Sequence, residues 1–80
     1  MEKEHLIKKL IQFRSKACCI YTQQKAHTLW KEIKSELTSK QVNDINDAWH
    51  HMFLGKNMKE PFHLTVNEII EEVGKVNGTY

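Results

Sequence analysis

The chain has 80 residues, of which 40% are hydrophobic and 28% charged, with three Gly and one Pro. This describes one small domain, too apolar for full disorder and too charged for a membrane-spanning chain. Such a domain buries only about two-thirds of its unfolded surface, so it holds one modest core and has no room for a two-domain enzyme around an enclosed pocket.

The net charge of +2 hides a division. Residues 1–40 carry nine basic and four acidic groups, a net of +5, and residues 41–80 carry three and six, a net of −3. Such polarity steers partners or joins opposite halves in a dimer. The start of the chain lacks the basic stretch and run of about 7–15 apolar residues that mark a secretory signal. The two cysteines, Cys18 and Cys19, are adjacent. Neighbouring cysteines rarely bridge each other and lack the spacing of zinc or redox motifs, so reduced thiols in a cytoplasmic protein are expected.

Gly and Pro are absent from residues 1–54, which favours helices over a turn-rich sheet. Leu6, Leu10, Phe13, Ala17 and Ile20 recur at helical spacing and predict a first helix near residues 3–21. A second stripe, Ala26, Trp30, Ile33 and Leu37, predicts a helix near 24–37. The two stripes are turned by about 120° from each other, so residues 3–37 read as one bent helix or as two. Thr38 through Gln41 fits a capping box opening a third helix near 39–54. Its apolar face is Val42, Ile45, Ala48, Trp49, Met52 and Phe53, with Gly55 as the stop. Residues 56–64, containing Pro61, read as a connection whose Phe62 turns back onto the core. Thr65 through Glu68 fits a second capping box, Val66, Ile69, Ile70 and Val73 supply the face, and Gly74 ends the helix. The expected fold is all-α, a compact bundle of three to four short helices over residues 1–74 with a flexible tail at 75–80.

No motif for chemistry emerges. The serines lie outside any nucleophile-elbow pattern, no Gly-rich phosphate loop occurs, and no carboxylate pair stands in apolar surroundings that would separate their pKa values. A non-enzymatic protein without a cofactor is expected. Asp44, Asp47 and His51 could share a helix face, but a zinc site wants three or four converging ligands, and a polar face is the simpler reading. Trp30, Trp49, Met52, Phe53 and Phe62 are many large side chains for so small a core. They either nucleate that core or leave a surface for a protein partner or a second copy. The leading expectation is therefore a regulator that binds another protein. The alternative is a nucleic-acid-associated regulator whose Lys8, Lys9, Arg14, Lys16 and Lys25 contact phosphates. A single Arg, and a capped amphipathic helix at 65–74 with no room for a recognition helix after it, weigh against that alternative.

Overall fold

The computed structural model describes residues 2–54 and 59–76, which form four helices and no strand among the described residues. We number them α1 (Lys3–Ala17), α2 (Gln23–Ile33), α3 (Ser39–Met52) and α4 (Lys59–Val76). Short 3₁₀ turns at Ile20–Thr22 and Lys34–Glu36 precede and follow α2. α1 packs against α2 and α4, and α3 packs against α4. The chain thus runs up, down, up and down, with order α2, α1, α4, α3 around the bundle.

Residues 3–37 are two helices. α1 ends at Ala17, earlier than the expected 21, although neither Gly nor Pro stops it. Two polar side chains take over the carbonyls that helix continuation would have used. The Thr22 hydroxyl donates to the Lys16 carbonyl at 2.6 Å, and the Gln23 side-chain amide donates to the carbonyls of Ala17 and Cys19 at 2.7 and 2.8 Å. Side chains of this kind offer the backbone an alternative to the helix ladder. The opening of α3 follows the expected capping box. Gln41 N–H donates to the Thr38 hydroxyl at 3.1 Å, and Thr38 N–H donates to the Gln41 side-chain oxygen at 2.9 Å. The expected Gly55 stop lies outside the described residues.

α4 departs most from expectation. It begins at Lys59 instead of 66 and runs through Gly74 to Val76. Pro61 sits in its first turn, where backbone N–H groups have no helical acceptor and a missing one costs nothing. Thr65 is an interior residue, and its hydroxyl donates to the Pro61 carbonyl one turn earlier at 2.9 Å. The Thr65–Glu68 pattern is therefore not a cap. Gly74 is helical and its Cβ position is open space, so α4 tolerates there a residue that costs about 1 kcal/mol relative to alanine.

Leu6, Leu10, Phe13 and Ala17 of α1 meet Ala26, Trp30 and Ile33 of α2, Ile45, Trp49 and Met52 of α3, and Phe62, Val66, Ile69 and Val73 of α4. Phe13 is the centre. Its ring stacks on Trp30 with centroids 5.3 Å apart and meets the edges of Trp49 and Phe62 at 4.9 and 5.8 Å. Offset and edge-on ring pairs add to the burial of their area. Replacing Phe13 with Ala is expected to cost about 3–5 kcal/mol in urea unfolding, a large share of the roughly 4–12 kcal/mol available to a chain of this length. Ile11→Ala, on the exposed side of α1, is expected to stay within about 0.5 kcal/mol of the parent. Equal losses in the two variants would contradict this core.

Candidate interaction surfaces

The turn between α1 and α2 and the last turn of α3 lie at one end of the bundle. Two side-chain bonds fix this. The Trp49 indole N–H of α3 donates to the Gln23 side-chain oxygen of α2 at 3.1 Å. The Cys18 sulfur after α1 lies 2.8 Å from His63 Nε2 of α4. Gln23 thereby caps α1 with its amide nitrogen and receives α3 with its amide oxygen. Because the turn is closed by Thr22 and Gln23 from beneath, its apolar residues point outward. Ile20 is 72% exposed and Tyr21 93%. At the end of α3, Phe53 is 53% exposed and Leu54 67%.

Of the five side chains expected to meet a partner, four lie in the core. Trp30, Trp49 and Met52 are each 7% exposed and Phe62 is fully buried. Phe13 pairs with the rings of Trp30, Trp49 and Phe62, and the core takes all three. Phe53 alone stays at the surface. Ile20 and Leu54 were not anticipated as surface residues. Ile20 belongs by spacing to the α1 stripe, and only the polar pair Thr22 and Gln23, read as competitors for the last α1 carbonyls, would have indicated that the helix stops before it.

The five cations expected to contact phosphate do not share one free face. Arg14 points toward α4 and donates to the Asn67 side-chain oxygen. Lys9 points toward α2 and pairs with Glu32 at 2.9 Å. Lys16 is half-buried, while Lys8 on α1 and Lys25 on α2 are exposed. A shallow cleft of about 220 Å³ on α1 is lined by His5, Lys8, Lys9 and Gln12.

A larger groove of about 370 Å³ follows the seam between α3 and α4, between Asp44, Asp47, Ala48 and His51 on one side and Pro61, Thr65 and Glu68 on the other. Asp44, Asp47 and His51 thus do share a face. Among the described residues no group of three or more His, Cys, Asp or Glu side chains converges as a metal site. The seam sets carboxylates opposite carboxylates, and Lys40 is the cation beside them. It pairs with Asp44 at 3.1 Å. That hydrogen bond, the Asp44 charge and the fields of Glu72 and Glu68 together hold its ammonium above the ordinary lysine pKa.

The two thiols differ. Burial pushes the Cys18 thiol up from its ordinary pKa, against the opposing fields of Lys59 and Arg14. The Cys19 thiol is shifted down, first by the backbone N–H of Tyr21 and then by the hydroxyl and N–H of Thr22. Among the described residues no helix is long and apolar enough to cross a membrane. The chain matches no known protein family, no curated protein and no solved structure. Since the thiolate is the nucleophile, iodoacetamide at neutral pH is expected to label Cys19 well before Cys18, as read by peptide mass spectrometry. Faster labelling of Cys18 would contradict the two environments.

Proposed function

We propose that this is a small non-enzymatic regulator that binds another protein through the end of the bundle bearing Ile20, Tyr21, Phe53 and Leu54. The observation that carries the reading is the exposure of these four large apolar side chains at one end while Phe13, Trp30, Trp49 and Phe62 are buried. Large apolar groups gathered on the surface of a soluble domain mark interaction sites. Tyr21 is the strongest anchor, because aromatic residues dominate the energetics of such contacts. The partner presents an apolar surface, and its occupation of this end is the regulatory act. The free thiols Cys18 and Cys19 support work in a reducing compartment such as the cytoplasm.

The nucleic-acid alternative has less support, because Arg14 and Lys9 are engaged within the fold. Immobilised protein is expected to retain a stoichiometric protein from a lysate of its own cells, with retention little changed by salt. Tyr21→Ser with Leu54→Ser should weaken that retention roughly thirtyfold, the effect of losing one hot spot of about 2 kcal/mol. Lys8→Glu should leave it unchanged. Absence of any retained protein, or equal retention by the Tyr21 and Leu54 variant, would overturn the reading.

A further inference from the structure

The groove between α3 and α4 has an unusual charge pattern for a helix seam. Residues flanking such a seam ordinarily set opposite charges across it. Here Asp44 and Asp47 of α3 stand across from Glu68 of α4. Among the described residues the only ion pair in this stretch is Lys40 with Asp44, which leaves Asp47 and Glu68 without one. Ala48 and Pro61 add apolar surface to the same groove. An acidic groove with apolar lining suits a lysine side chain, which lays its methylene stem on apolar surface and presents its ammonium to carboxylates.

The same chain carries the complement. Lys8 is exposed, and with His5, Lys9 and Gln12 it borders the cleft on the outer side of α1. That side faces away from α4. Residues 5, 8 and 12 lie on one face of α1, whereas the residues bonded to α4, Lys3 and Arg14, lie on another. Lys9 marks the α2 side through its bond to Glu32. The basic face of α1 and the α3/α4 groove are therefore on opposite sides of the bundle.

We propose that the α3/α4 groove docks the basic outer face of α1 from a second copy of this chain. Lys8 of one copy enters between Asp47 and Glu68 of the next. Because the two surfaces are different and lie on opposite sides, the contact is head to tail. It builds open-ended chains of copies and does not close into a two-fold dimer. The contact is largely electrostatic, so it weakens as salt shortens the range of the charges. It uses none of the four apolar residues assigned to the partner protein, so it stands or falls independently of that reading.

Sedimentation of the purified protein tests it. At low ionic strength the average mass is expected to rise with concentration beyond that of a dimer, and to return to that of a monomer in high salt. One variant, His5→Glu with Lys8→Glu, keeps the groove and loses the basic face. A second, Asp47→Lys with Glu68→Lys, keeps the basic face and loses the groove. Each alone is expected to be monomeric, and an equimolar mixture is expected to regain mass beyond that of a heterodimer, since the acidic groove of the first meets the basic face of the second and the reversed face of the first meets the reversed groove of the second. That recovery also shows that both variants are folded. A parent protein that stays monomeric at every concentration in low salt would overturn the proposal. So would a mixture that stays monomeric, or a groove that takes a free lysine-rich peptide while the parent never self-associates.

Discussion

The structure turns on what happens to one indole N–H. Trp49 must bury its ring for a core this small to hold together, and burial of an unpaired donor would forfeit much of that gain. Gln23 resolves the conflict by accepting from Trp49 with its side-chain oxygen. The other end of the same amide donates to the carbonyl of Ala17, the last residue of α1, and to that of Cys19. The side chain of the first residue of α2 therefore closes the end of α1 and receives α3. The rings above it, with Phe13 among Trp30, Trp49 and Phe62, complete the core on that foundation.

Closing the α1–α2 turn from the inside has an outward consequence. The polar atoms of Thr22 and Gln23 are used within the turn, and the apolar residues Ile20 and Tyr21 are left in solvent. The surface that results is apolar at one end of the bundle and charged along its sides. The division of charge along the sequence becomes a division in space, because α1 and α2 come from the basic half and α3 and α4 from the acidic half. Intramolecular pairing neutralises part of it, through Lys9 with Glu32 and Lys40 with Asp44. Exposed pairs of this kind contribute little to stability. Lys8 on one side, and Asp47 and Glu68 on the other, stand outside these two pairs.

Much of the fold was legible in the sequence. The helical class, the interior stripes apart from Ile20 and Phe53, and the capping box at Thr38 and Gln41 follow from local spacing and local hydrogen bonding, and the structure agrees with them. What was not legible depends on contacts distant in sequence. Pro61 reads as a helix breaker unless the helix is known to begin two residues earlier. Thr65 and Glu68 imitate a cap, and only the continuous ladder from Lys59 shows otherwise. The candidate surface was legible only in part. Counting large side chains could not tell Phe53, which stays outside, from Trp49 and Met52, which go in, because the decision rests on where α3 meets the other helices.

The role given to Gln23 is tested most directly by hydrogen exchange at the two indole N–H groups, followed by NMR. Trp49 is expected to exchange far more slowly than Trp30, and Gln23→Ala is expected to remove most of that difference. Equal and rapid exchange at both indoles in the parent protein would contradict the account.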